Sequence, residues 1–167
     1  MPNLAGVDGC PAGWIAVVEN SETQRIVAIV FKNFQQLAAV LDTAVIAIDI
    51  PIGLTECDAR DCDTLARKRL GAKRGTSVFP APIRPVLHAS SYTEAIARSR
   101  AVQNKGISKQ GWAIYPKIRE IDDALRSNAG LRARVFEVHP EVTFSEWSGV
   151  PIIPPKRKQK AMPSAEP

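Results

Sequence analysis

Three acidic residues each close a short apolar run, a position where charged side chains are uncommon. Asp8 ends "LAGVD", Asp49 ends "AVIAID" and Glu137 ends "RARVFE", while Glu141 follows soon after. Neighbouring strands lie about 4.8 Å apart, so carboxylates at the ends of adjacent strands reach a single cation. Mg²⁺ and Mn²⁺ prefer such oxygen ligands, and two of these ions about 4 Å apart promote phosphodiester cleavage. These residues therefore predict a divalent-metal site.

A structural role for the first acid is the alternative. Asp8 lies in "GVDGCPAGW", and an aspartate in such a turn often accepts a hydrogen bond from its own backbone. The same arrangement recurs at Asp49, which is followed by Pro51 and Gly53. An acid at the tip of two separate strands favours a site, because ligands of open α/β sheets bind at the carboxyl ends of the strands.

The elements that position these acids are predicted by the hydrophobic pattern. "LAGVD", "WIAVVE" and "RIVAIVF" are typical of three strands with short connections, which form an antiparallel meander. "NFQQLAAVLDT" has helical spacing with Asn33 as its N-cap, and the apolar run Ala44 to Ile48 is typical of a buried strand parallel to the first. A fifth strand is predicted at Ala133 to Val138. We expect an α/β fold with a mixed five-stranded sheet, a three-strand antiparallel meander plus parallel strands, and helices on both faces.

The remaining segments predict three further helices, a loop and a tail. "CDARDCDTLARKRLG" ends at Gly71, "SYTEAIARSRAVQNKG" has Ser90 or Ser91 as its cap, and "WAIYPKIREIDDALRSN" begins near Pro116. "TSVFPAPIRPVLH" is an extended, proline-rich loop. We expect a single domain over residues 1–153 and a disordered tail over residues 154–167.

Composition restricts the possible partners. The chain has 167 residues, 45% of them hydrophobic, which suffices for the core of one domain. No run approaches the ~20 apolar residues of a membrane span, and the N-terminal residues lack the pattern of a signal peptide. We therefore expect a cytoplasmic protein with no membrane partner. The net charge of +5 includes a basic cluster from Arg67 to Arg74, which indicates either a nucleic-acid partner or a solvated helix face.

Six segments of the chain resemble the motifs of a known family. They are "GVDGCPAGW", "AIDIPIGL", "RDCDTLARKRLG", "RGTSVFPAPIR", "SKQGWAIYPKIREID" and "EVHPEVTFSEWSG". In this order they are similar to the motifs of the domain-of-unknown-function 429 family, whose members are described as predicted RNase H-like nucleases. The resemblance implies an RNase H-like fold and phosphodiester hydrolysis that depends on Mg²⁺ or Mn²⁺.

The resemblance also implies roles for individual residues. It adds Glu120 to the catalytic candidates, with a solvated helix face as the alternative for that residue and for Asp122. It includes Arg60 and Asp63, whose spacing is equally that of a surface ion pair. The catalytic set is then Asp8, Asp49, Glu120 and Glu137, and the metal ligands are Asp8, Asp49, Glu137 and Glu141. The residues expected to bind nucleic acid are Arg67, Lys68, Arg69, Arg74 and Arg84.

The C-terminus departs from the family pattern. Similar proteins continue into further helices, the last of which usually supplies a metal-binding acid. Residues 156–167 of this chain contain one acidic residue, Glu166, and their apolar residues show no helical spacing. We expect a missing ligand, slow or absent catalysis, and an open apolar sheet surface that favours a homodimer. Two other functions stay open: an actin-like nucleotide-binding phosphotransferase, and a non-catalytic interaction module.

Overall fold

Five strands form one mixed sheet at the centre of the structure, a computed structural model that describes residues 3–42 and 44–149. The sheet order is β3-β2-β1-β4-β5; β1 is antiparallel to β2 and β2 to β3, whereas β1, β4 and β5 are parallel. The predicted neighbourhood of the first and fourth strands is confirmed. The strands are β1 (Leu4–Cys10), β2 (Gly13–Glu19), β3 (Ile26–Phe31), β4 (Val45–Ile48) and β5 (Val135–Glu137).

Helices connect the strands and begin at the predicted caps. Asn33 accepts a hydrogen bond from the Gln36 N–H at the start of the first helix, and Ser91 accepts one from the Glu94 N–H at the start of the fourth. The described helices are α1 (Phe34–Val40), α2 (Asp61–Arg74), α3 (Arg84–Leu87), α4 (Tyr92–Gln103), α5 (Lys109–Ser127), α6 (Ala129–Arg132) and α7 (Pro140–Ser148).

Two helix boundaries differ from the sequence predictions. Helix α5 begins at Lys109 rather than near Pro116, which lies inside it. An interior proline loses one backbone hydrogen bond, but the buried face of α5, which includes Tyr115 and Ile118, keeps the helix continuous by packing on the core. Helix α2 reaches Arg74 because the chain resumes helical geometry after Gly71, where φ is +69°.

One face of the sheet carries the core. Ala5, Val7, Trp14, Ile46 and Ile48 are all at most 5% exposed, and they belong to the same hydrophobic cluster as the inner faces of α1 and α5. Helix α1 packs on β2 and β3 and also on α5. This face therefore fixes α5 relative to the carboxyl ends of β1 and β4.

The opposite face is apolar and open over much of its area. Leu4, Ile15, Val17, Val30 and Phe136 lie on this face by register and are 36–55% exposed. For this surface, the expectation of helices on both faces stays a prediction, because residues 150–167 lie outside the described part of the chain. Apolar alternate positions in a strand do not reveal whether a second layer covers them. The predicted exposure of apolar sheet surface depends on the residues after 149, which lie outside the described part of the chain, and stays a prediction.

The predicted tail at 154–167 and the expected absence of a C-terminal helix concern residues that lie outside the described part of the chain. Within residues 3–42 and 44–149, the helices are too short or too polar to cross a bilayer.

Candidate functional site

A cavity of about 470 Å³ opens at the carboxyl ends of the parallel strands. Asp8 and Asp49 lie side by side there, because the Asp49 N–H donates to the Val7 carbonyl at 3.2 Å and so extends the ladder between β1 and β4. Both aspartates are exposed. The polar residues around the cavity include Asp8, Asp49, Arg60, Lys117, Glu137 and His139.

The glycine-rich turn beside Asp8 has two steric constraints. Gly13 has a φ of +128°, and a Cβ there would lie 2.1 Å from the Phe31 carbonyl oxygen. A Cβ on Gly9 would lie 2.7 Å from Cδ of Lys117. The Gly9 N–H also donates to Asp8 Oδ1 at 2.7 Å, so the local turn bond considered for Asp8 is present. That bond leaves the second carboxylate oxygen for another ligand and is compatible with metal binding.

Lys117 is a cavity residue that sequence reasoning missed. Its ammonium group donates to the Gly13 carbonyl at 2.5 Å and lies 4.5 Å from the centre of the Trp14 ring. These contacts fix a positive charge at the cavity wall near Asp8. The sequence signal was present in "YPKIREID", but only the path of α5 across the glycine turn distinguishes this lysine from a surface lysine.

Glu137 is held by a buried arginine. Arg60 is 5% exposed, and its Nη1 and Nη2 groups donate to the two carboxylate oxygens of Glu137 at 2.6 and 2.7 Å. The Ile52 N–H donates to Glu137 as well, at 2.8 Å. Asp63, also 5% exposed, forms a second ion pair with Arg60. The alternative of an exposed Arg60–Asp63 surface pair is therefore wrong.

The pKa of Arg60 reflects this environment. Burial alone disfavours the guanidinium cation, but hydrogen bonds to Glu137 and Asp63 outweigh it and hold the pKa of Arg60 above its ordinary value. Arg60 is consequently a permanent cation. It neutralises charge on two carboxylates at the cavity wall.

Strand register separates Glu137 from the two aspartates. Glu137 is paired with Ile48, whose side chain is in the core, whereas Asp8 is one residue beyond Val7 and therefore belongs to the opposite face. Among the described residues, no group of three His, Cys, Asp or Glu side chains is arranged to hold a metal ion. Asp8 and Asp49 nevertheless fit Mg²⁺, which is often held by one or two carboxylates together with water and substrate phosphates.

Glu141 belongs to a neighbouring cluster. It pairs with Arg74, and it accepts a hydrogen bond from the Ser77 hydroxyl. His139 Nε2 lies 3.4 Å from the Ser77 carbonyl oxygen, and its Nδ1 is buried without a partner among the described residues. The structure thus brings His139 to the cavity but engages Glu141 with Arg74.

Glu120 joins α5 to the sheet at a distance from this cavity. It accepts hydrogen bonds from Trp14 Nε1 at 3.0 Å and from the Phe34 N–H at the start of α1, and it borders a different depression. Asp122 is 8% exposed and pairs with Arg84. Neither acid is on a solvated helix face, and the contacts of both are those of structural residues.

Four of the five candidate nucleic-acid contacts lie on α2 and the fifth lies on α3, and most of them are engaged in contacts within the chain. Arg84 is bound to Asp122, to Glu56 at 3.1 Å and to the Leu54 carbonyl at 2.9 Å. Arg69 pairs with the exposed Glu146. The other three candidates are Arg67, which donates to the Val78 carbonyl at 3.3 Å, Arg74, which pairs with Glu141, and Lys68, which is exposed.

Comparison with known proteins identifies a family. A sequence model of the family described as "Protein of unknown function (DUF429)" matches residues 6–165, which is nearly the whole chain. No curated protein and no solved structure matches it. The match includes both aspartates of the cavity and the residues of the Arg60 cluster. The chain belongs to the DUF429 family of proteins of unknown function.

Proposed function

We propose that the protein is a divalent-metal-dependent phosphodiesterase of RNase H-like type that acts on nucleic acid. The observation that carries the proposal is the pairing of Asp8 and Asp49 at the ends of adjacent parallel strands, at the edge of a cavity that also contains Lys117 and His139. The sheet order β3-β2-β1-β4-β5, with β2 antiparallel to its neighbours, supports the RNase H-like assignment.

The residues that line the cavity have separate roles in this proposal. Asp8 and Asp49 hold the cation. When bound, Mg²⁺ or Mn²⁺ lowers the pKa of a water molecule and neutralises charge on the phosphate. Lys117 donates one hydrogen bond from its ammonium group to the Gly13 carbonyl, and its positive charge stabilises the substrate phosphate. His139 lines the same cavity and supplies an imidazole ring as a candidate general acid–base group there.

Arg60 has an indirect role in this scheme. It is a positioning residue, because it holds Glu137 and Asp63 and thereby fixes one wall of the cavity. The exposed cations of α2, including Lys68 and Lys73, hold the nucleic-acid backbone. Contacts of this kind carry no sequence information, so binding tolerates any sequence and weakens with salt.

Mn²⁺ is expected to raise the melting temperature of the wild-type protein. A cation that binds only the folded state stabilises it by mass action, by about 1.4 kcal/mol at ten times its Kd. For a chain of this size that corresponds to roughly 3–6 °C. Asp8→Asn and Asp49→Asn remove a ligand charge and should each abolish the shift. Differential scanning calorimetry with and without Mn²⁺ measures the effect.

Asp42→Asn is the matched control for this experiment. Asp42 is an exposed aspartate after α1 and lies outside the cavity lining, so its variant should retain the full Mn²⁺ shift. An unchanged melting temperature in the wild type at millimolar Mn²⁺ would contradict the metal site. A shift that survives in Asp8→Asn and Asp49→Asn would place the cation elsewhere.

We also propose that a second copy of the chain covers the open sheet face. Leu4, Ile15, Val17, Val30 and Phe136 form an apolar surface that spans several strands, and monomeric proteins rarely expose large contiguous surfaces of this kind. A two-fold axis that lies in the interface, parallel to the plane of the sheet, places this surface against its own copy, which satisfies the self-complementarity that such an interface requires.

Analytical ultracentrifugation is expected to show a dimer that Val17→Lys converts to a monomer. Val17 lies on β2, between β1 and β3, and a lysine there places a charge within the proposed interface. Val102→Lys, at a 44% exposed position on α4, should leave the dimer intact. A monomeric wild-type protein at micromolar concentration would refute the interface.

A further inference from the structure

A second cavity, of about 250 Å³, adjoins the first. The two cavities share Asp63 and Phe79 as lining residues, so this pair forms the wall between them. The second cavity is formed by the start of α5, by α2 and by the segment that follows α4. Its volume is below the roughly 300–1,000 Å³ of sites that enclose a drug-sized molecule, so it suits a single chemical group.

The charged groups around the second cavity are predominantly positive. Arg67 and Lys105 contribute two cations, and Lys105 is exposed. The only carboxylate among its described lining residues is Asp63, whose charge is already matched by the ion pair with Arg60. An anion in this cavity would therefore meet two cations and no unpaired acid.

Helix α5 presents its amino-terminal end to the same cavity. Ser108 and Gly111 line the cavity, and the Ser108 hydroxyl caps the Gly111 N–H at 2.9 Å. The backbone N–H groups of Lys109 and Gln110 precede the first intrahelical hydrogen bonds. The helix dipole adds partial positive charge at this point. A helix end of this kind does not by itself identify a ligand.

Tyr115 supplies an independent observation. It lines the second cavity, is 4% exposed, and its hydroxyl has no hydrogen-bond partner among the described residues. Burial raises the pKa of Tyr115 to about 12, so the hydroxyl remains protonated and acts as a donor near neutral pH. The Tyr115 hydroxyl is not among the atoms that are buried without a partner, so it is accessible from the cavity, where it can donate to a ligand oxygen.

Ser99 adds a second buried hydroxyl to the cavity lining. Ser99 is 1% exposed, and its hydroxyl oxygen accepts a hydrogen bond from the Gln103 side-chain amide at 3.1 Å. The hydroxyl proton is thus not consumed by that bond. Together with Tyr115, Arg67, Lys105 and the start of α5, it makes the cavity rich in donors.

We propose that the second cavity binds the terminal phosphate of a nucleic-acid strand. The tetrahedral oxyanion uses the donors of Tyr115, Ser99, Arg67 and Lys105, and a terminal phosphate fits a space too small for a whole nucleotide. The identity of the strand rests on the proposed function, since the first cavity would then hold the phosphodiester that is cleaved. The adjoining wall at Asp63 and Phe79 brings the two subsites next to each other.

The test measures binding in EDTA, where no metal-dependent cleavage occurs. Fluorescence anisotropy compares one labelled single-stranded oligonucleotide in 5′-phosphorylated, 3′-phosphorylated and unphosphorylated forms, with inorganic phosphate as competitor. We expect one phosphorylated form to bind about tenfold more tightly than the unphosphorylated one, as a charge-assisted hydrogen-bond network provides. Competition by inorganic phosphate identifies the phosphate group, rather than the rest of the strand, as the source of the preference.

Variants assign that preference to the second cavity. Tyr115→Phe keeps the aromatic ring and removes only the hydroxyl. Lys105→Gln changes an exposed side chain, so this variant still tests the cavity if Tyr115→Phe fails to fold. Each should reduce the preference about five- to tenfold. Lys32→Gln, at an exposed site between β3 and α1 outside the cavity lining, should not alter it.

Two results would overturn the assignment. Equal binding of the phosphorylated and unphosphorylated strands removes the phosphate subsite, and a preference that survives both Tyr115→Phe and Lys105→Gln places it elsewhere. Asp8→Asn should keep the phosphate preference, because the measurement needs no metal. If the protein prefers phosphorylated strands but neither binds Mn²⁺ nor cleaves nucleic acid, the proposed function is rejected and the phosphate subsite is retained. If it binds Mn²⁺ and cleaves nucleic acid but shows no phosphate preference, only the subsite is rejected.

Discussion

Asp8→Asn is expected to reduce Mn²⁺-dependent cleavage of nucleic acid by roughly a hundredfold or more, because metal-centred stabilisation of the transition state requires the ligand charge. The substitution preserves the shape of the side chain, and its amide oxygen can still accept the Gly9 N–H bond. The turn should therefore stay folded while the cation is lost. Cleavage rates on single-stranded, duplex and hybrid substrates in Mg²⁺ and Mn²⁺ measure the effect.

The control separates the site from a general effect of charge. Asp42→Asn removes one exposed carboxylate elsewhere and should cleave at the wild-type rate. Equal cleavage by the wild type and Asp8→Asn would attribute the activity to a contaminant. If neither protein cleaves but ATP raises the melting temperature, a nucleotide-binding function becomes the better account; if there is no response to metal, nucleic acid or ATP, an interaction module does.

Local patterns were sufficient to predict the sheet. The alternation in "WIAVVE" and the unbroken apolar run before Asp49 indicated a meander and a buried parallel strand, and the structure has both in that order. Asp8 and Asp49 were brought together by this topology alone. The caps at Asn33 and Ser91 were also predictable, because a single side chain and the N–H three residues later define them.

Register and burial were not accessible in the same way. Glu137 as a third ligand stays a prediction: it lines the same cavity as Asp8 and Asp49, but its pairing with Ile48 puts it on the other face of the sheet, where Arg60 holds its carboxylate. A shift of one residue reverses the face of a strand, and no local pattern fixes that shift for the three-residue β5. Lys117 was missed for a related reason: its role depends on where α5 crosses the glycine turn.

Arg60 shows how burial changes the meaning of a sequence spacing. Arginine and aspartate three residues apart near the start of a helix are usually an exposed pair worth less than about 1 kcal/mol. Here both side chains are almost fully buried, and the guanidinium also holds Glu137 and the Ile52 carbonyl. Tertiary packing of α2 against the strand ends produced this environment, and it makes Arg60 a sensitive position.

Arg60→Met is expected to lower the free energy of unfolding by about 3–5 kcal/mol, the usual cost of removing one partner of a buried ion pair. Asp63 would remain 5% exposed without its cation, whereas Glu137, whose side chain is 29% exposed, can be partly hydrated. Equilibrium urea denaturation measures the loss. Arg69→Met provides the matched control, because its pair with Glu146 is about half exposed and should contribute less than about 1 kcal/mol.

A double variant distinguishes lost pairing from lost packing. If the penalty arises because Asp63 is left as an unpaired buried charge, Arg60→Met combined with Asp63→Leu should recover a large part of it, since replacing both partners of a buried pair by apolar groups is often nearly neutral. If the cavity left by the guanidinium dominates, the double variant should be no more stable than Arg60→Met. A loss for Arg60→Met no larger than that for Arg69→Met would contradict the buried network itself, and with it the positioning role assigned to Arg60 at the cavity wall.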